Sequence, residues 1–296
     1  MGRTAGLSFI IKGESRTMSV RIIVDSTADL NPALRDRFTT IPLTIYFGQE
    51  EYIDGVTIQY QQFYEKLVQS DALPTTSQPT PAAFAAAYQA AVQAGDDVVV
   101  ITISSKLSGT YQSASIAALD YQGKVYVVDS LNAAIGTGVL AELALGLADS
   151  GMSAKQIAER VTAERENICL VATLDTLEYL KKGGRISKTV AFAGELLSIK
   201  PVITLKDGVV VVAGKARGAK QGNTMLMKLV QEAGVDFSKP ILFGYTGVDS
   251  TLLEKFMEDS AGLFAEAGER HATPLCSVIG THVGPGAYAV AFFQKN

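Results

Sequence analysis

Short β-branched runs alternate with longer stretches of helical spacing from about residue 18 onward, the pattern of an α/β domain built on a parallel sheet. VRIIVD, Val20 to Asp25, reads as a first buried strand. DSTADLNPALRDRF offers Ser or Asp caps and a proline near a helix start, so a strand-to-helix turn falls at Asp25, Ser26 and Thr27. IPLTIYFG reads as a second strand, and TIQYQQFYEKLVQSD as a helix after a turn at Asp54 and Gly55. LPTTSQPTP, broken by Pro74, Pro79 and Pro81, reads as a polar loop. A helix ending at Gly95, the buried strand DDVVVITIS, a helix over SKLSGTYQSASIAAL and the strand KVYVVDS follow. Helices from about Asn132 to Asp149 and from Ser153 to about Glu166 close this half.

ICLVATL opens a second domain, with the boundary near residue 165. LEYLKKGGRISKTVAFAGELL reads as two helices joined at Gly183 and Gly184, and PVITLKDGVVVVAGKARG as a hairpin turning at Asp207 and Gly208. Helices near Asn223 to Ala233 and Thr251 to Ala267 surround the strand KPILFGYTG, and SVIGTHVGPGAYAVAFF reads as two strands around a Gly-Pro-Gly loop. Residues 1–17 precede a second methionine, so Met18 is the expected start. The apolar LSFII within that leader is too short for a signal-peptide core or a membrane span, and no small-residue cleavage site follows it.

Composition narrows the class. Of 296 residues 47% are hydrophobic and 19% charged, against a usual charged fraction of about 25%, which excludes intrinsic disorder. The apolar surplus has two readings, an alanine-rich interior or apolar surface reserved for a greasy ligand, and composition does not choose between them. A net charge of -4 with no basic run argues against a nucleic-acid footprint. Cys169 and Cys276 sit in apolar stretches as expected buried free thiols, offering neither a CxxC pair nor a zinc site, and the lack of a disulfide framework points to a reducing compartment. No apolar stretch has the length and continuity of a transmembrane helix, so a cytoplasmic protein is expected.

Candidate chemistry gathers at a few places. His271, in GERHATP, reads as a solvated helix end, whereas His282 sits among glycines in IGTHVGPG, where backbone can approach a ligand closely. PTTSQPT and ISSKLSGTYQS place hydroxyls at expected helix starts, whose free N–H groups attract an anion. Capping accounts for Ser77 and Ser104, but in LSGT the Ser108 hydroxyl and the Gly109 and Thr110 amides can converge on an oxyanion. Neither a GxxxxGK[ST] loop nor a GxSxG elbow is present. Arg185 and Arg217, with Lys181, Lys182, Lys215 and Lys220 nearby, make either a phosphate-facing patch or solvated helix ends.

DSTADL, TTSQPTP, ISSKLSGTYQS, VDSLNAAIGTG, LEYLKKGGRIS, IKPVITL, GKAR and IGTHVGPG occur in that order from residue 18 to the C-terminus, and together they resemble the DegV family of fatty-acid-binding proteins. The resemblance implies a two-domain DegV (EDD-type) α/β fold. Residues 18–165 would form a Rossmann-like parallel-sheet domain, and 166–296 a mixed or antiparallel-sheet domain with a lipid tunnel. It implies no cofactor and no metal, only a long-chain fatty acid as ligand, in the FakB role of a non-enzymatic carrier that presents the acid to an ATP-dependent fatty acid kinase for acyl-phosphate formation in phospholipid synthesis. Transient membrane contact is compatible with that role.

By the same resemblance, Thr76 of TSQP, Ser108 of LSGT and His282 of GTHVGPG contact the carboxylate, with Ser77, Gly109 and Thr110 as secondary candidates. Arg185 and Arg217 match the arginines that serve the encounter with the kinase. Ala134 and Ala289 depart from the family pattern. Hydroxyl and amide donors suit a carboxylate that must later accept a phosphoryl group, because they orient it without a buried ion pair. His282 is expected to donate to the carboxylate and to change charge as acyl phosphate forms. The rival reading is a small-molecule enzyme with Ser108 as nucleophile and His282 as base. Chain length and saturation of the acid are not readable from the sequence.

Overall fold

The computed structural model describes residues 19–70, 72–187 and 199–295. The leader 1–17 with Met18, and the second helix expected after Gly184, lie outside the described residues. β1 (Val20–Asp25) is buried over its last four positions. The helix expected next is only a 3-10 turn at Arg35–Arg37. Asp25 accepts the Thr27 N–H at 2.9 Å and Asn31 accepts the Ala33 N–H at 3.1 Å, so short polar side chains satisfy this backbone in place of a helical ladder.

IPLTIYFG divides at Pro42 into β2 (Thr39–Ile41) and β3 (Thr44–Phe47), which join different sheets. β4 (Glu50–Ile53) pairs antiparallel with β3 across a turn at Gly48. After α1 (Tyr60–Gln69), the expected loop LPTTSQPTP contains β5 (Thr75–Ser77), which takes the other edge of β3. Prolines on either side keep this strand to three residues, too short for a period-2 signal. α2 (Pro81–Gln93) is capped by Thr80 and ends before Gly95, whose φ is 90°. β6 (Asp97–Thr102), α3 (Thr110–Ala118), β7 (Val125–Asp129), α4 (Ile135–Asp149) and α5 (Ala154–Glu164) follow as expected, α5 with a Ser153/Gln156 capping box.

The second sheet begins with β8 (Ile168–Thr173); α6 (Glu178–Lys182) leads toward the hairpin β9 (Ile199–Lys206) and β10 (Val209–Arg217). Asp207 and Gly208 at the hairpin tip have φ of 51° and 80°, the signs a type I′ turn requires. α7 (Gly218–Ala233), β11 (Ile241–Tyr245) and α8 (Thr251–Asp259) come next, and a 3-10 turn at Ala261–Phe264 ends the helix that had been expected to reach Ala267. Then come β12 (His271–Pro274), α9 (Ser277–Val283) and β13 (Tyr288–Phe293). Two expectations change here. His271 starts a strand paired with Leu242 and does not end a helix, and SVIGTHV is the helix α9, not a strand. The first N–H groups of α9 are satisfied from far away: Asp29 accepts from Cys276 at 2.7 Å and Asp54 from Ser277 at 3.2 Å. No local pattern could signal that cap. Cys169 and Cys276 are free thiols as expected, though only half-buried.

The fold is α/β, with a parallel sheet in the N-terminal half and a mixed sheet in the C-terminal half. The order β2-β1-β6-β7 is parallel throughout, β4-β3-β5 is a small antiparallel sheet, and β10-β9-β8-β13-β11-β12 is antiparallel except for β11 with β12. α4 packs against β1 and β6 of the first sheet and β8, β11 and β13 of the second. Residues Ile135 to Ala141 are buried without a break, and the core cluster around them draws on both sheets. Among the described residues no helix is long and apolar enough to cross a membrane. At Gly138 a Cβ would overlap the Asp29 carbonyl oxygen and stand 3.3 Å from Leu242 Cδ2. Gly138→Ala is therefore expected to destabilise the protein by about 2–3 kcal/mol in urea unfolding, the usual cost of overpacking; an unchanged midpoint would show that the seat of α4 is slack.

Candidate functional site

Between the two halves lies a cavity. Its walls are apolar side chains such as Leu170 of β8, Ile203 and Leu205 of β9, Val210 of β10 and Ile279 and Val283 of α9. The polar exceptions are Thr27, Thr76, Ser108, Arg185 and His282. Thr27 is buried, its hydroxyl donated to Asp25. Thr76, Arg185 and His282 also line a second cavity, together with Pro74, Tyr179 and Lys182. These three residues thus stand where an apolar chamber meets a more polar one.

β5 presents Thr76, whose Oγ1 lies 2.9 Å from His282 Nε2 in the last turn of α9. His282 Nδ1 is buried and has no hydrogen-bond partner among the described residues. Burial first, and then the nearby Arg185 charge, lower the His282 pKa to about 4. The ring is accordingly neutral at pH 7 in the ligand-free protein. Ser108 precedes α3; its Oγ lies 2.9 Å from Thr110 Oγ1 and accepts the Thr110 N–H at 3.4 Å. Among the described residues no hydrogen bond joins Ser108 to His282.

The secondary candidates separate. Gly109 is the N-cap position of α3, and the Gln78 side chain lies across it so closely that a Cβ there would overlap the Gln78 amide. Gln78 also donates to Ser113 Oγ at 2.9 Å, fastening the β5 loop to the start of α3. Sequence reasoning passed over Gln78, whose only signal was its place two residues after Thr76. Ser77 pairs with Thr44 in the small sheet and lines neither cavity; the cap expected of it is Thr80. Ser104 accepts the Lys106 N–H at 3.2 Å, capping the turn that leads to α3, and donates to the Gly208 carbonyl at 2.7 Å, so it also holds the β9–β10 tip.

Arg185 is half-buried, donating Nη1 to the Gly183 carbonyl at 2.6 Å and Nε to the Leu107 carbonyl at 3.2 Å. Arg217 ends β10, is exposed and lines neither cavity. The structure therefore brings Thr76, Ser108, Arg185 and His282 to one cavity and leaves Arg217 outside it.

The model of the DegV family, described as uncharacterised proteins, matches residues 19–295. The chain belongs to the DegV family. A DegV domain-containing protein of Caldanaerobacter subterraneus is 32% identical over 287 residues, covering 93% of this chain and 99% of that one. Among solved structures, a fatty-acid-binding DegV family protein from Thermus thermophilus superposes with a TM-score of 0.85 at 34% identity, over 94% of this chain and all of its own. A stearic-acid-binding protein from Eubacterium ventriosum gives 0.82 at 27% identity, over 93% and 98%.

The lowered His282 pKa sets a pH window for this DegV chain. The folded state favours neutral His282, so its contribution is complete above the ordinary pKa of 6.5 and is lost as pH falls toward about 4. That range corresponds to roughly 3 kcal/mol at most. Asp25, Asp29 and Asp54, raised by burial, act in the opposite sense toward acid, equally in wild type and variant. His282→Gln is expected to flatten the fall in unfolding free energy between pH 6.5 and 4; identical pH profiles would contradict the burial of a neutral ring.

Proposed function

We propose that this chain binds a long-chain fatty acid, with the carboxylate held at Thr76, Ser108 and His282 and the acyl chain in the apolar cavity. It presents the acid to an ATP-dependent fatty acid kinase for conversion to acyl phosphate. The observation that carries the reading is a hydroxyl and imidazole cluster at a chamber that is otherwise almost wholly apolar. The two similar proteins whose names state fatty-acid and stearic-acid binding support it. Burial of about a dozen methylenes at roughly 0.8 kcal/mol each supplies some 10 kcal/mol as an upper bound before ordering costs. The tail therefore provides affinity, and the hydroxyls set orientation.

Arg185 and the exposed Arg217 are the kinase-facing residues of this reading, and Lys182 in the polar cavity adds positive charge on the same side as Arg185. The carrier works in the cytoplasm as two domains, 18–165 and 166–296, that share the ligand between them. An enzyme with Ser108 as nucleophile and His282 as base is disfavoured, because His282 Nε2 is engaged by Thr76 and Ser108 by Thr110.

Solvent extraction of the purified protein followed by mass spectrometry should release a long-chain acid. Absence of any such acid, with no binding of added oleate or palmitate, overturns the proposal. Ser108→Ala is expected to weaken retention about tenfold, the worth of one hydrogen bond to a charged group. Arg217→Ala should leave retention unchanged and slow phosphorylation by the kinase; equal loss of retention in both variants would refute this division of roles.

A further inference from the structure

A third cavity opens between the loop after β1, the turn after β4 and the loop from β12 into α9, and it shares no residue with the other two. Asp29 and Asp54 form its buried side, 5% and 4% exposed, and Arg35, also in its wall, is exposed. Three of the four carboxylate oxygens have donors from the protein. Asp29 Oδ1 accepts the Cys276 N–H at 2.7 Å, Asp54 Oδ1 the Ser277 N–H at 3.2 Å and Asp54 Oδ2 the Ser26 hydroxyl at 2.8 Å. Asp29 Oδ2 is buried and has no hydrogen-bond partner among the described residues.

A buried carboxylate oxygen without a donor is a defect that folded proteins seldom keep. An ion pair with Arg35 would repair it, yet the fold holds the two groups apart across one cavity. Arg35 Nη2 donates to Thr273 Oγ1 at 3.3 Å, and among the described residues it meets no carboxylate. Burial first, with Asp54 adding to it, holds the Asp29 carboxyl well above its ordinary range, and the Cys276 N–H and the charge of Arg35 offset this only in part. A simple cation here would face Arg35, and a simple anion would face two acids. A molecule that carries an ammonium beside a carboxylate answers both. Leu30, Val56 and Tyr60 supply apolar and aromatic wall for its side chain.

We propose that this cavity binds a free α-amino acid, its ammonium donating to Asp29 Oδ2 and its carboxylate paired with Arg35. The site is separate from the fatty-acid cavity and does not depend on that reading. Titrating the ¹⁵N-labelled full chain with each of the common L-amino acids should shift the amides of Asp29, Arg35 and Cys276 for at least one of them. No shift with any amino acid, or shifts at Thr76, Ser108 and His282 in place of these, overturns the proposal.

For the amino acid that binds, calorimetry should show affinity at least about tenfold weaker in Asp29→Asn, the worth of one hydrogen bond to a charged group. Asparagine keeps an oxygen for the Cys276 N–H, so the start of α9 retains its cap. Analogues lacking the amino or the carboxyl group should lose as much. Arg35→Met, at an exposed position, should erase the preference for the amino acid over its decarboxylated amine. Undiminished binding in Asp29→Asn, or an amine that binds wild type as tightly as its parent, counts against the site. Should Asp29→Asn not fold, Arg35→Met decides, because a preference that survives it refutes the pairing with the carboxylate.

Discussion

A helix with no polar face over its first two turns can be stable only if something covers it all round, and that requirement organises this molecule. α4 is buried without a break from Ile135 to Ala141, against the parallel sheet on one side and the mixed sheet on the other. Gly138 lets the loop after β1 close on it, and Gly136 lies where a Cβ would be 3.1 Å from Leu170 Cδ1 of β8. Neither sheet alone can bury such a helix. The two halves are thus drawn together around it, and the apolar cavity lies at the seam they form, bounded by Ala133 and Ala134 just before the helix. Ala134 has a φ of 52°, a left-handed conformation that costs a non-glycine residue energy and that the surrounding packing maintains.

A second tie runs through buried carboxylates. Asp29 and Asp54 accept the N–H groups of Cys276 and Ser277, and Asp54 also takes the Ser26 hydroxyl at 2.8 Å. The first half of the chain therefore caps the helix whose far end carries His282. Negative groups at the start of a helix oppose its dipole favourably, but burial acts against their charge and raises both carboxyl pKa values, that of Asp29 well above the ordinary carboxylate range. The position of the imidazole is decided at one end by these acids and at the other by Gly183.

Much of this was legible from residue pattern. VRIIVD and DDVVVITIS are continuous apolar runs and became central parallel strands, because both faces of such a sheet are covered. Asp207 and Gly208 marked their hairpin, since few other residues accept positive φ. Thr76, Ser108, Arg185 and His282 were singled out and do line one cavity. What escaped was held by distant partners. β5 exists because β3 offers it an edge, α9 because Asp29 and Asp54 cap it, and β12 because β11 pairs with it. The contribution of Gln78 depends on its crossing Gly109, which sequence adjacency to Thr76 does not reveal.

By itself the sequence determined the α/β class, the places of most strands and helices, and the residue types available for a neutral anion site, since these follow from local periodicity and side-chain chemistry. Tertiary structure decided what those types do. His282 was a glycine-flanked imidazole until burial beside Arg185 lowered its pKa and Gly183 packed against its Nδ1. Arg185 and Arg217 looked alike on the page, yet one lines the cavity and the other stands outside it. The surplus of apolar residues could not say whether it was core or ligand surface, because transfer from water favours both equally; only the packing of two sheets about one helix left part of it facing an open chamber.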